Sequence, residues 1–254
     1  MSRFAHPLVE EAAQIYFVEG KAWVAYGYFL ALLAAVQLLT LLLPSLDPSS
    51  WMGSAQIFKV SCVVSLFSGV YFTLKLANQE YTPWRFAPLK RWLEEEGFSP
   101  YGLALAQLSI LGAYSILFVL LSLPFLSWAA AIARTGVYSL IIAPVVILAY
   151  FMVYGVWGLV TLNLWERRVE TRHIVVRCLL GCFFILTALV YLPLNPFAFL
   201  LAFLGGGDLG NPVFFLGLRC SPKAIHIVFH AVLLACGVLL CHALLARKAA
   251  ANGS

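Results

Sequence analysis

Residues 138–164 read YSLIIAPVVILAYFMVYGVWGLVTLNL, without a single Lys, Arg, Asp or Glu. A membrane-spanning helix needs about 20 mostly apolar residues, because each residue adds about 1.5 Å across a hydrocarbon core of about 30 Å. The whole chain of 254 residues shares this character, with 63% apolar residues, 11% charged residues and a mean hydropathy of +0.93. No water-soluble fold of this size hides so much apolar surface. The composition therefore excludes a soluble globular protein, a disordered chain and a protein that reads nucleic acid.

Five further stretches are long and apolar enough to cross a membrane. The six predicted spans are about 23–43, 56–76, 103–126, 138–164, 174–194 and 225–245. The third and fourth are long, and we expect Pro124 and Pro144 to mark their ends or to kink them. The six cysteines do not have the spacing of a secreted disulfide framework. We predict an all-α, polytopic membrane protein in which residues 1–254 form a single transmembrane domain in contact with the lipid bilayer.

Lys and Arg residues are distributed unevenly between the two sides that six spans define. One side holds twelve of them: Arg3, Lys21, Lys75, Arg85, Lys90, Arg91, Arg167, Arg168, Arg172, Arg177, Arg247 and Lys248. The other side holds four: Lys59, Arg134, Arg219 and Lys223. Cytoplasmic loops carry an excess of Lys and Arg. We therefore predict that both termini are cytoplasmic and that the protein lies in the cell (inner) membrane.

Two segments outside the spans have unusual patterns. Residues 6–20 mix apolar residues with Glu and Gln after Pro7, which predicts an amphipathic helix at the cytoplasmic interface, with a disordered tail as the alternative. The external segment 195–224 holds two apolar pieces, each too short to span, around a glycine-rich turn. Such a pattern fits either a short re-entrant segment between the fifth and sixth spans or an ordinary loop resting on the bilayer.

Motifs for nucleotide binding and hydrolysis are missing from the sequence. It has no phosphate-binding P-loop, no dinucleotide-binding GxGxxG, no GxSxG nucleophile and no HExxH zinc motif. We expect no cofactor in this chain, and any ATP and Mg²⁺ that it depends on would be bound by a separate subunit. No Asp or Glu lies near the middle of a span, which argues against a transporter coupled to protons or sodium.

The cytoplasmic connection 77–102 is the strongest functional candidate. Its stretch PLKRWLEEE predicts a short helix that begins at Pro88 and stops at Gly97. We expect Trp84, Leu89 and Trp92 to form an exposed apolar ridge. The residues predicted to dock a partner protein are Trp84, Arg85, Leu89, Lys90, Arg91, Trp92, Glu94 and Glu95. The alternative is a juxtamembrane helix whose tryptophans anchor in the headgroup layer.

Polar residues within the spans have two interpretations. Ser61, Ser65 and Ser68 share one side of the second span, while Gln107 and Asn163 are isolated within or at the ends of their spans. Small polar residues at this spacing let helices pack closely and exchange hydrogen bonds, and we favour that interpretation. The alternative is a polar strip along a translocation path.

A histidine pair on the last span allows one further hypothesis. His226 and His230 lie four residues apart, so they share a helical face and could form part of a metal site. With the run Glu94–Glu96 they could belong to an intramembrane metal-dependent protease. No third ligand lies nearby in sequence, and a charge run in a connection is more often a solvated helix face, so metal binding is the weaker interpretation.

The order of these features resembles the transmembrane subunit of ABC-2-type ABC transporters. The resemblance covers nearly the whole chain: an amphipathic helix, six spans with both ends inside, and a docking helix near PLKRWLEEE between the second and third spans. FSPYGLALAQL, LLSLPFLSWAA, the turn WERRVETR and LPLNPFAFLLAFL resemble segments of the same family. The Glu-rich, Gly-Thr-containing stretch usual after its second span is not recognisable in ANQEYTPWRF.

The resemblance implies a permease that contains no ATPase of its own. Such subunits pair as homodimers or heterodimers, and each binds one ATP-hydrolysing cassette subunit. On this hypothesis the chain exports a hydrophobic or amphiphilic substrate and is not itself an enzyme. The alternatives are the metal-dependent membrane enzyme and an accessory membrane subunit without a transport role.

Overall fold

The computed structural model describes residues 6–19, 23–42, 56–81, 85–205, 207, 209–215 and 218–252. It is 85% helical, and six of its helices are long and apolar enough to cross a membrane. The predicted all-α, multi-pass fold class is therefore confirmed. The orientation in the membrane, with both termini in the cytoplasm, stays a prediction.

The described helices follow one another along the chain, and a short hairpin precedes the last. They are α1 (Pro7–Ala13), α2 (Trp23–Leu42), α3 (Ile57–Ala77), α4 (Pro100–Ala133), α5 (Val137–Leu164), α6 (Val169–Gly181), α7 (Thr187–Val190), α8 (Pro196–Gly205) and α9 (Pro222–Asn252). Wider π-helical turns continue α1 through Gln14–Val18 and join α6 to α7 through Cys182–Leu186. Strands β1 (Val213–Phe215) and β2 (Leu218–Cys220) pair in antiparallel register.

The six long apolar helices overlap the six predicted spans, although two are longer than expected and the fifth, Val169–Val190, begins and ends earlier than the predicted 174–194. α4 continues to Ala133 and α9 to Asn252. Pro124 and Pro144 lie inside α4 and α5, so neither marks a helix end. Proline is tolerated inside membrane helices because neighbouring helices and local adjustments satisfy the backbone group that it frees.

The core of the bundle is formed by α3 and α5, with α2, α4 and α9 packed around them. Gly158 of α5 permits a close approach to α3, because a Cβ there would lie 2.7 Å from both Ala77 Cβ and the carbonyl oxygen of Leu74. The ring of Phe151 fills the space beside Gly69 of α3 in the same way. Small residues at such positions let membrane helices pack by van der Waals contact.

Both ends of the described chain lie at one end of the bundle. Leu8 of α1 and Leu245 of α9 belong to a single apolar cluster. Tyr16, in the turn that continues α1, donates a 2.7 Å hydrogen bond to the carbonyl oxygen of Leu76 at the end of α3. We call this the α1 end. Residues 7–18 are helical as predicted for residues 6–20, of which residue 20 lies outside the described part of the chain.

Candidate functional site

The segment of residues 85–98, which we call the connecting segment, joins α3 to α4 across the α1 end. Its short helix covers Leu89 and Lys90 and continues as a π-helical turn through Arg91–Glu95. Gly97 follows with φ of +66°, a left-handed conformation that glycine adopts without strain, and ends the helix where the sequence predicts. Ser99 then caps α4, since its Oγ accepts a 3.1 Å hydrogen bond from the amide of Gly102.

Apolar side chains anchor the connecting segment to three helices. Leu89 and Trp92 are each only 4% exposed and pack in one cluster with Leu8 of α1, Leu103 of α4 and Leu245 of α9. The predicted exposed ridge is therefore wrong for Leu89 and Trp92, because the folded chain itself covers them. Trp84, the third member of that ridge, lies outside the described residues.

Two carboxylates hold the backbone of the connecting segment. Glu11 of α1 accepts a 3.0 Å hydrogen bond from the amide of Ala87, and Glu166 accepts one of 2.6 Å from the amide of Leu89. Amides at a helix start have no partner within the helix, so a carboxylate there satisfies a donor and complements the helix dipole. Glu166 also forms an ion pair with Lys248 of α9, with 2.7 Å between Nζ and the carboxylate oxygen. This pair links the last turns of α9 to the residue that holds the Leu89 amide.

Burial changes the protonation of one of these carboxylates. Desolvation raises the pKa of Glu11 above its ordinary value of 4.5. The amide of Ala87 and the positive charge of Arg91 act in the opposite direction, but burial is the largest effect. We therefore expect the contact between α1 and the connecting segment to depend on pH.

The outer surface of the connecting segment is charged. Arg85, Lys90, Arg91, Glu94 and Glu95 are all exposed. Arg85 pairs with Glu19, and Lys90 lies 3.4 Å from Glu94, but exposed pairs of this kind are worth only about 0–1 kcal/mol. The described part of the connecting segment thus presents mixed charge outward while its large apolar side chains face the bundle.

The polar residues predicted along the spans are buried between helices of the same chain. Ser61, Ser65 and Ser68 are at most 2% exposed, and Gln37 of α2 donates a 2.9 Å hydrogen bond to Ser61 Oγ. Gln107 of α4 and Asn163 of α5 exchange two hydrogen bonds of 2.9 and 3.0 Å. These contacts are those of helix packing, and the five residues are not at an open surface of the chain.

The two histidines lie in a buried ladder with two tyrosines of α5. Nε2 of His226 lies 2.5 Å from the hydroxyl of Tyr150, and Nε2 of His230 lies 2.8 Å from that of Tyr154. Each Nδ1 also has a backbone partner, the carbonyl oxygen of Pro193 for His226 and that of His226 for His230. All four ring nitrogens are satisfied without a metal. Neither tyrosine was predicted from the sequence, although the two tyrosines, like the two histidines, lie four residues apart.

The structure does not bring the run Glu94–Glu96 together with His226 and His230, as the protease hypothesis requires. Glu94 lies in the connecting segment, which contacts α9 near Leu245, whereas His226 lies in the first turns of α9. With a rise of about 1.5 Å per residue, His226 and Leu245 are about 28 Å apart along the helix. Within the described ranges, no group of three or more His, Cys, Asp or Glu side chains could hold a metal ion.

Comparisons of the chain with protein-family models, with curated proteins and with solved structures gave no match. The geometry of the α1 end and the order of elements along the chain are the observations that bear on function.

Proposed function

We propose that the chain is the membrane-spanning permease subunit of an ATP-driven ABC transporter of the ABC-2 type, acting as an exporter. The observation that carries the proposal is the connecting segment. It is fixed to the bundle by buried Leu89 and Trp92 and exposes Arg91, Glu94 and Glu95 on the opposite side. A rigid element that contacts two bodies can transmit motion from one to the other.

The anchoring suggests how such a motion would reach the spans. Pressure on the charged surface by a closing ATP-binding subunit would act on Leu89 and Trp92, which contact α1, α4 and α9. Glu166 would carry the same displacement to the end of α5 through the amide of Leu89. In this proposal the ATP and Mg²⁺ belong to the partner, and this chain hydrolyses nothing.

The position of α8, at the end of the bundle opposite the α1 end, also supports the proposal. Phe197, near its start, stacks on Phe184 with 4.5 Å between ring centres and lies 6.2 Å from the ring of Phe67. Gly205, at its other end, lies beside Lys59 in the first turn of α3. Since Phe67 is about 15 Å further along α3 than Ile57, we propose that α8 is the re-entrant element predicted between the fifth and sixth spans.

The apolar outer surface of the spans suits both lipid and a second permease copy. We propose that the protein lies in the cell (inner) membrane with both termini cytoplasmic, pairs with a second copy or a homologue, and moves a hydrophobic or amphiphilic cargo. Its spans carry few charges, which is compatible with such a cargo.

Two measurements test this proposal. Green fluorescent protein fused after Asn252 should fluoresce, and alkaline phosphatase fused after Arg134 should be active, if the α1 end is cytoplasmic. The chain should also co-purify in defined stoichiometry with a P-loop ATPase encoded beside it and change the ATPase rate of that protein in lipid discs. An inactive fusion pair, or the absence of any such complex, overturns the proposal.

A charge-reversal variant tests the docking surface itself. Arg91→Glu combined with Glu95→Arg should abolish the effect on the ATPase rate, because it reverses the exposed charge at both positions and keeps the buried side chains Leu89 and Trp92. Arg219→Glu, a charge reversal at an exposed residue of β2, is the control and should behave as wild type. Trp92→Ala is a poor probe since it removes a buried anchor.

A further inference from the structure

A cleft of about 410 Å³ opens between the connecting segment and the first turn of α6, lined by Leu89, Lys90, Glu166, Arg167 and Arg172 among others. We call it the Arg172 cleft. It adjoins a second cleft of about 560 Å³ that shares Lys90, Glu166 and Arg167 and adds Arg168 and Lys248. Together the two clefts are lined by five basic residues and one carboxylate, so their charge attracts anions.

Arg172 is the buried member of this basic group. Its side chain is only 2% exposed, and its Nε and Nη1 atoms have no hydrogen-bond partner among the residues that the structure describes. A guanidinium carries a permanent charge, and leaving its donors buried without acceptors is costly. Buried polar groups in native proteins nearly always have a partner, so unused donors beside a cleft point to an acceptor that the chain does not supply.

The two carboxylates whose charges act on Arg172, Glu166 and Glu80, are already engaged by other groups. Both oxygens of Glu166 accept hydrogen bonds, one from the amide of Leu89 and one from Lys248. Glu80 faces two cations, Lys75 at 2.8 Å and Arg177 at 3.3 Å. Its Oε2 accepts no hydrogen bond within the described ranges, but its charge is shared between those two partners. The positive charge of the Arg172 cleft is therefore only partly neutralised by these two carboxylates.

We infer that the Arg172 cleft binds a phosphate-bearing anion, with Arg172 as its buried ligand and Arg167 at its mouth. A guanidinium presents a planar fork of donors that matches two phosphate oxygens at once. The phosphate belongs either to the headgroup of an anionic phospholipid or to a soluble phosphate compound. Leu164, 45% exposed on the wall of the adjoining cleft at the end of α5, provides an apolar surface for a lipid chain beside the basic residues.

Thermal unfolding of the delipidated full chain in detergent tests this inference. Inorganic phosphate is added in one arm and phosphatidylglycerol in another, with chloride at equal ionic strength and phosphatidylcholine as their respective controls. A ligand that binds only the folded state raises the Tm in a saturable way. Arg172→Gln should weaken that binding at least about tenfold, the loss expected for a hydrogen bond to a charged group. Arg219→Gln, the same change at an exposed distant residue, should leave it unchanged.

The variants also separate a ligand site from a purely structural role. Without ligand, Arg172→Gln should be at least as stable as wild type, because it removes a buried charge whose Nε and Nη1 donors have no partner among the described residues. If that variant does not fold, Arg167→Gln, which changes an exposed residue at the mouth, carries the test. A shift with phosphatidylglycerol alone identifies the headgroup as the source, whereas a shift with phosphate identifies a soluble one. No saturable shift in either arm, or equal shifts in the cleft variant and in Arg219→Gln, overturns the inference.

Discussion

Gln107 of α4 and Asn163 of α5 form a closed amide pair in which each side chain donates to the other, at 2.9 and 3.0 Å. Cys241 of α9 lies against both, with its Sγ 3.0 Å from Asn163 Nδ2 and 3.3 Å from Gln107 Oε1. Three helices thus meet at one buried polar contact. Inside a membrane such a contact aligns helices along their length, because no water can replace a lost partner.

Replacing one member of this pair should destabilise the bundle by about 1 kcal/mol, since the other amide is left buried without its partner. We expect Asn163→Leu and Gln107→Leu each to lower the Tm, and the double variant to lose less than the sum of the two. Unfolding of all three variants in the same detergent measures this coupling. Ser109→Ala, at an exposed position on α4, is the control. Strict additivity would contradict the role assigned to the pair.

Glu166 should control the mobility of the connecting segment. Glu166→Ala removes the acceptor of the Leu89 amide, and a hydrogen bond to a charged group is worth about 1.5–3 kcal/mol. Hydrogen exchange in peptides covering residues 87–95 should therefore accelerate at least about tenfold. Glu166→Gln keeps an acceptor oxygen and should change exchange much less, as should Lys248→Met, which removes only a half-exposed ion pair. Equal acceleration in all three variants would mean that the amide contact contributes nothing.

The contact between α1 and the connecting segment should weaken as pH rises. The pKa of Glu11 is raised in the folded chain, so its neutral form is favoured on folding. The contribution of this group is fully present below pH 4.5 and is lost as pH rises through the raised pKa. The Tm of wild type minus that of Glu11→Gln should accordingly fall as pH increases above 4.5.

The comparison with Glu11→Gln is needed because a second group titrates nearby. Burial lowers the pKa of His6 below 6.5, so its contribution is lost in the opposite direction, as pH falls. His6 is present in both proteins of the pair, and its effect cancels in the difference. A flat difference between pH 4.5 and 8 would show that Glu11 titrates alike in the folded and unfolded chain.

The hydrogen bonds between Tyr150 and His226 and between Tyr154 and His230 should stabilise the folded bundle. Tyr150→Phe removes the partner of His226 Nε2 while keeping the ring, and we expect a loss of about 1–2 kcal/mol from the unpaired nitrogen. Tyr138→Phe, at an exposed position of α5, should be neutral. Metal analysis of the wild-type protein addresses the competing hypothesis: stoichiometric zinc that disappears in His230→Ala would refute the purely hydrogen-bonded role of this pair.

The spans were predictable because length and apolar composition alone decide whether a helix crosses a membrane. The stop at Gly97 was predictable for a similar local reason, since only the backbone conformation of one residue is involved. The orientation of Trp92 was not, because it depends on Leu8, Leu103 and Leu245, which come from three distant parts of the chain. The hydrogen bonds of Tyr150 and Tyr154 were not predictable either, because tyrosine is common in apolar helices and nothing near them in the sequence indicates a polar partner.

Arg172 illustrates a different limit of the sequence. In the count of Lys and Arg residues that predicts the orientation, Arg172 contributes in the same way as Arg167 and Arg168. The sequence therefore does not distinguish the three arginines. Only the packing of α6 separates them, leaving Arg172 buried and the other two exposed. Burial of one basic residue among several is a tertiary property, and a single sequence does not encode it in any local pattern.

Helix α9 holds His226 beside Pro193 near its first turn and Lys248 beside Glu166 near its last. An unbroken helix between two such fixed points behaves as a stiff rod, because sliding or rotating one end must displace the other. If the charged surface is where an ATPase docks, α9 offers a mechanical route by which a nucleotide bound to that ATPase would displace the 3₁₀ turn Leu192–Leu194, which contains Pro193, at the other end of the bundle.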